Sequence, residues 1–162
     1  MKSSKERPRI LLDTSFILPT LGINVHGATP EAIKVLTETE IGIYYSRFSI
    51  LESLWVASRI SVAIFNPESF HLGLRSIIEG GRYTRVEEDS DIFKEAFRLH
   101  RLGHKDMIDN VLYASAVELG LLLLTLDDEL RRFLSEKKLK YVLLSPDQLP
   151  DLKNLFGINQ VD

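Results

Sequence analysis

Cysteine is absent from the 162 residues. That excludes disulfides, thiolate nucleophiles and thiolate-held metals together, so any metal must be held by oxygen or imidazole ligands. Long apolar runs are also lacking. The stretch that comes nearest, residues 119–126, is far below the roughly 20 residues needed to cross a bilayer. The opening Met1-Lys2-Ser3-Ser4-Lys5-Glu6-Arg7-Pro8 is too polar for a secretory leader. Both absences lead us to expect a soluble cytoplasmic protein with no membrane association. No internal repeat or low-complexity tract is visible. An excess of positive charge is missing too: 20 Lys and Arg face 23 Asp and Glu, for a net charge of −3. Blanket electrostatic attraction to nucleic acid is therefore excluded, although a local basic rim remains compatible with the balance.

What is present is a globular composition, 44% hydrophobic and 27% charged, in a chain long enough for one domain with a substantial core. Residues 1–8 read as a flexible basic tail and 9–162 as a single domain. The apolar run Arg9-Ile10-Leu11-Leu12-Asp13 has the character of a buried strand. Thr14 and Ser15 offer caps for a short helix after it, and a second helix is expected over 30–38, with Thr29 as N-cap and Pro30 in its first turn. Further strands are expected over 41–45, 83–87, 121–125 and 140–145. Apolar residues at three- and four-residue intervals predict an amphipathic helix from Arg47 to Asn66, with Glu52 in its first turns. Other helices are expected over 67–81, from Ser90 to near Gly103, over 105–119, from near Glu129, and over 147–156. Strands alternating with helices imply an α/β fold with a mainly parallel sheet, whose crevice lies beyond the C-terminal strand ends. Asp13 and Asp127 each stand at such an end.

Taken singly, each acid has an ordinary explanation. Asp13 and Asp127 can cap the helices that follow them. Ser49-Ile50-Leu51-Glu52 has capping-box spacing. Asp106 and Asp109 share a helix face near an N-terminus, where the macrodipole favours negative charge. The set is harder to dismiss than its members. It comprises an apolar strand ending in acid, an acid early in an apolar-faced helix, an acid opening a second such helix, and a Thr-x-Asp after a buried strand.

In order and setting these segments resemble the PIN-domain family, including the VapC-type toxin ribonucleases, from Ile10 to about Ser145. Four segments carry the likeness: Leu11-Leu12-Asp13-Thr14-Ser15, Ser49-Ile50-Leu51-Glu52-Ser53-Leu54, Asp109-Asn110-Val111-Leu112-Tyr113-Ala114-Ser115-Ala116 and Leu123-Leu124-Thr125-Leu126-Asp127. Their acids are 39, 57 and 18 residues apart. The resemblance implies a three-layer α/β/α fold and a metal-dependent ribonuclease that holds Mg²⁺ or Mn²⁺ with Asp13, Glu52, Asp109 and Asp127. Asp13 and Asp109 would be direct ligands, while Asp127 and Glu52 would act through water or orient the nucleophile. Thr125 would stand behind them, a part that Thr14 or Ser15 can also play, although a strand threonine is often only a packing residue. Position 126 is Leu where the family often has a polar residue, and Asp106 and Asp128 are extra acids, each able to assist its neighbour. A cognate antitoxin and a homodimer are implied in the same way.

The chemistry suits these residue types. Phosphodiester hydrolysis needs developing negative charge stabilised, and hard divalent cations, which prefer oxygen ligands, do so. His26, His71, His100 and His104 form no His-Glu-x-x-His pattern, and His100 with His104 reads as a solvated helix end and loop. Arg47, Arg98, Arg101, Lys105, Arg131 and Arg132 are available to grip RNA or simply to stay solvated. Tyr44, Tyr45 and Trp55 are expected in the core. Other readings start from the same residues. A haloacid-dehalogenase-type phosphotransferase resembles the start, but that chemistry needs a second acid two positions after the first, and Ser15 stands there. A catalytically silent module of the same fold, binding RNA or protein, and an RNA-processing nuclease that is no toxin remain open.

Overall fold

A computed structural model describes residues 7–28 and 30–156. Most of the expected basic tail, and the Thr29 cap, lie outside these residues. Arg7 pairs with Glu40 at 3.0 Å, and the Pro8 carbonyl accepts a hydrogen bond from the Gly42 amide at 3.0 Å. Five short strands follow: β1 (Arg9–Leu12), β2 (Gly42–Tyr45), β3 (Tyr83–Arg85), β4 (Leu122–Leu124) and β5 (Leu143–Leu144). Eight α-helices separate and follow them: α1 (Thr14–Ile17), α2 (Pro30–Thr37), α3 (Arg47–Ser58), α4 (Pro67–Ile78), α5 (Ser90–Leu102), α6 (Met107–Leu119), α7 (Asp128–Glu136) and α8 (Leu149–Phe156).

Side chains alternate across a strand, so each apolar run feeds two cores. On one face Ile10, Leu12, Ile43, Leu124 and Leu144 join Phe16, Leu21, Leu36, Ile77 and Leu149. On the other, Leu11, Leu123 and Leu143 join Leu99, Leu112, Ala116, Leu130 and Leu134. Strands buried on both sides read as continuous leucine and isoleucine, which is why no alternation is visible in the sequence. The expected α/β layers with a parallel sheet are therefore observed.

Every strand pair is parallel, in the order β3-β2-β1-β4-β5. The chain builds outward from β1 to β3, then returns to the other side of β1 for β4 and β5. The order reverses between β1 and β4, and a crevice opens beyond the carboxyl ends of strands at such a switch point. Leu12 is in register with Leu124, so the residues just past them, Asp13 and Thr125 to Asp127, meet at one edge.

Helix α3 departs from expectation twice. It ends at Ser58, not near Asn66. The next turn is organised by Ser61, whose carbonyl accepts from Ile64 and Phe65 at 3.0 Å and whose hydroxyl accepts from Ala63. Such local bonds compete with the helix, and the β-branched Ile60, Val62 and Ile64 disfavour its continuation. Nor is its apolar stripe the buried face. Ser49, Ser53 and Ala57 point inward, whereas Leu51, Leu54 and Trp55 are 41–53% exposed. Small residues let α3 lie close to α1, which settles where Glu52 points. Trp55 is thus not a core residue, although Tyr45 is.

Candidate active site

Asp13 follows β1 directly and is 7% exposed. It occupies the N-cap position of α1, yet its side chain makes no capping bond, and Thr14 and Ser15 lie within the helix instead of capping it. Its Oδ2 instead accepts from the Thr125 hydroxyl at 2.8 Å. The Thr125 hydroxyl both donates and accepts, because its oxygen also accepts the Asp127 amide at 3.0 Å. Two strand ends are thereby tied through one buried hydroxyl.

The other acids arrive from helices. Glu52, on α3, accepts a hydrogen bond from the Thr14 hydroxyl. The capping box expected for it does not form: α3 starts after Ser46, whose side chain accepts from the Phe48 amide, which places Ser49 inside the helix. Asp106 is the N-cap of α6, its Oδ1 accepting from the amides of Ile108 and Asp109 at 3.0 and 3.1 Å. Asp109 is the third residue of that helix, half-buried and turned toward Asp13 and Asp127. Asp127 caps α7 through Oδ1, which accepts from Glu129 and Leu130. Capping engages only one of its two oxygens, so the capping role and a place in the cluster are compatible.

Asp13, Thr14, Ser15, Glu52, Asp106, Asp109 and Asp127, with Leu18, Val56 and Leu126, line a cleft of about 310 Å³. No lysine or arginine is among them. Asp128 is not brought in; its side chain is 82% exposed and faces Arg131 at 3.6 Å. Arg98, Lys105 and Arg132 bond to Glu95, the His100 carbonyl and the Asp128 carbonyl.

Burial, and after it the crowding of like charges, raises two of the acids above the ordinary carboxylate range. Asp13 is pushed up to about 6, first by burial and then by the charges of Glu52 and Asp127, against the lowering effect of the Thr125 hydrogen bond. Asp109 is pushed up to about 9, again first by burial, then by the charge of Asp13, a hydrogen bond with Asp127 and the charge of Asp106. Several carboxylates that cannot all ionise together make a strong oxygen donor set for a divalent cation. The residues present fit such an ion.

His104 was missed. Expected in a solvated loop, it is 3% exposed, against Phe133 at a ring-centroid distance of 5.2 Å. A ring nitrogen of His104 and carboxylate oxygens of Asp109 and Asp127 all lie within 4.8 Å of one another. The available signal was the close spacing of His104, Asp106 and Asp109 after Gly103, and not the zinc-protease pattern.

Residues 10–134 match the PIN domain as a protein family. Among solved structures, the chain is similar to VapBC2 from Rickettsia felis bound to a DNA fragment from its promoter, with TM-score 0.58, 12% identity and 85% of this chain and 98% of that one covered. A toxin-antitoxin complex from Klebsiella pneumoniae is similar with TM-score 0.55 and 15% identity over 85% and 97% of the two chains. Mycobacterium tuberculosis VapC20, a Sarcin-Ricin loop cleaving toxin, gives TM-score 0.54 and 18% identity over 76% and 93%. A search among curated proteins returns no match. With the family match covering most of the sequence, and the strand-end acids assembled as described, the chain belongs to the PIN domain family.

Proposed function

We propose that this protein is an endoribonuclease that depends on Mg²⁺ or Mn²⁺, held by Asp13, Asp109, Asp127 and Glu52. The observation that carries the reading is the convergence of these acids from β1, α3, α6 and the end of β4 on one cleft without a basic partner. A cluster serving only to cap helices would not need Asp13 buried against the Thr125 hydroxyl, where it makes no side-chain cap bond. When bound, a divalent ion supplies charge stabilisation at the phosphoryl oxygens and makes water more acidic.

The protein's own groups have distinct tasks. Asp13 supplies the buried carboxylate, and Asp109, like Glu52 and Asp127, a half-buried one. Thr125 orients Asp13 and, through the Asp127 amide, fixes the start of α7. Thr14 holds Glu52 at the rim, where a carboxylate can position a water molecule. RNA is the proposed substrate, in single-stranded or looped form. A role as the toxin of a toxin-antitoxin pair with a cognate antitoxin draws support from the toxin and toxin-antitoxin complex among the similar structures, and action in the cytoplasm as a homodimer is part of the same proposal. Among the described residues no helix is long and apolar enough to cross a membrane.

The test is end chemistry. Cleavage in Mg²⁺ or Mn²⁺ should leave 5′-phosphate and 3′-hydroxyl ends and stop in chelator. Chelator-resistant cleavage, or 2′,3′-cyclic phosphate ends showing attack by the RNA's own hydroxyl, would count against it.

A further inference from the structure

The acids leave one buried group beside them unexplained. Asn110 is fully buried, and its amide nitrogen donates to the His104 carbonyl at 2.9 Å. That orients its oxygen toward His104 Nδ1, 2.8 Å away. Nδ1 must therefore carry the proton and donate, which leaves the lone pair of a neutral ring on Nε2. Among the described residues no hydrogen bond reaches Nε2. A purely structural histidine would be expected to use this nitrogen or bury it against apolar atoms. Here a ring nitrogen lies within 4.8 Å of oxygens of Asp109 and Asp127, and Nδ1 is already committed.

We propose that His104 is a further metal ligand of this site, its Nε2 joining Asp109 and Asp127 on one cation and shifting the site's preference from Mg²⁺ toward Mn²⁺ and other transition ions. This rests on the reading of the carboxylates as a cation site. Octahedral ligands about 2.1 Å from an ion are separated by about 3.0 Å when adjacent and 4.2 Å when opposite. At most one pair among three such ligands can be opposite, so a bound ion must draw the ring nitrogen and the two carboxylates closer together than the observed limit of 4.8 Å. The Asn110 oxygen on Nδ1–H is the kind of outer partner that ligating histidines have, fixing tautomer and ring plane. Packing against Phe133 removes rotational freedom from the ring. Magnesium binds oxygen and is indifferent to imidazole, whereas manganese and the later ions accept it. The nitrogen therefore contributes selectivity that carboxylates alone do not.

The experiment reads the metal itself. Protein stripped with chelator is loaded with Mn²⁺, and nitrogen couplings to the ion are recorded by pulsed electron paramagnetic resonance. Mg²⁺ and Mn²⁺ affinities are measured by calorimetry. The parent should show ¹⁴N coupling that disappears in His104→Gln, with the Mn²⁺ over Mg²⁺ preference falling about 10- to 100-fold. Because His104→Gln can disturb folding, a triple variant, His26→Gln, His71→Gln and His100→Gln, keeps His104 as the sole imidazole and should retain the coupling. Absence of nitrogen coupling in the loaded parent, or its loss in the triple variant, overturns the assignment while leaving the carboxylate site intact. If the parent binds neither ion, the carboxylate reading falls as well.

Discussion

Asp13 and Asp127 follow neighbouring strands, yet only the Asp127 side chain makes cap bonds to its helix, so the proposed site takes one carboxylate spared from capping and one that also shapes the backbone. Thr125 joins the two. Replacing it with valine, Thr125→Val, removes the hydroxyl from Asp13 and from the Asp127 amide while nearly preserving volume. Mn²⁺ affinity should fall about 10- to 100-fold, as measured by calorimetric titration. The raised acids also set a pH dependence. Asp13 and Asp109 hold their protons more tightly when folded than when unfolded, so their contribution favours the fold below pH about 4 and is lost as pH rises. For Asp13 the loss spans 3.8 to about 6 and is worth roughly 3 kcal/mol. Metal-free protein should therefore melt lower at pH 8 than at pH 5, and bound Mn²⁺ should offset the fall. Asp109→Asn removes the later part of the loss, so in chelator at pH 8 it should melt above the parent. It should also lose most of the gain from Mn²⁺, about 2.7 kcal/mol at a hundredfold excess over the dissociation constant. If Asp109 only favoured a helix N-terminus, neutralising it would cost about 0.3 to 1 kcal/mol with or without metal. Asp13, Glu52, Asp109 and Asp127 stood out in the sequence only as a set and through the family likeness, since each alone reads as an ordinary strand-end or helix acid, and the structure brings the four to one cleft. His104 did not stand out, because its burial comes from Phe133 on α7 and its tautomer from Asn110, neither of which local polarity reveals.

Among the elements, those with clear punctuation were the easiest to read. Gly120, at φ 63°, ends α6 in the left-handed conformation that glycine adopts freely, whereas Asn66, read as the end of the preceding helix, instead caps α4 by accepting the Ser69 amide. The far end and inner face of α3 were not legible. Apolar spacing past Ser58 continued the periodic pattern, but Ser61 offers a competing turn, and packing against α1 selects serine and alanine over the leucines. Gly73 on α4 shows the same preference for close approach. A Cβ there would stand 2.3 Å from the Thr20 carbonyl oxygen and 2.8 Å from the Leu21 Cα, both backbone atoms. Gly73→Ala gains about 1 kcal/mol in helix propensity but forces a backbone shift typically costing 1–3 kcal/mol. Because both close contacts are backbone atoms, the cost stands at the upper end of that range, and a net loss of up to about 2 kcal/mol should appear as a lower urea midpoint with an unchanged slope. A midpoint equal to or above the parent's would contradict the packing.

At the scale of the molecule, the strand order assembles the candidate site more than any single element does. Building outward from β1 and returning to its other side puts the ends of β1 and β4 together, so acids 114 positions apart in sequence, Asp13 and Asp127, share an edge. Alternation of strands and helices made the parallel sheet legible, but the return across β1 could be inferred only through a family likeness. The most direct measurement is single-turnover cleavage of a looped RNA at neutral pH by chelator-stripped parent and Asp13→Asn, with circular dichroism verifying that both are folded. The account predicts that the stripped parent is inactive and recovers on adding Mn²⁺, while folded Asp13→Asn stays at least about 100-fold slower at every Mn²⁺ concentration. Parent cleavage that needs no metal, or a folded Asp13→Asn as fast as the parent, would contradict it.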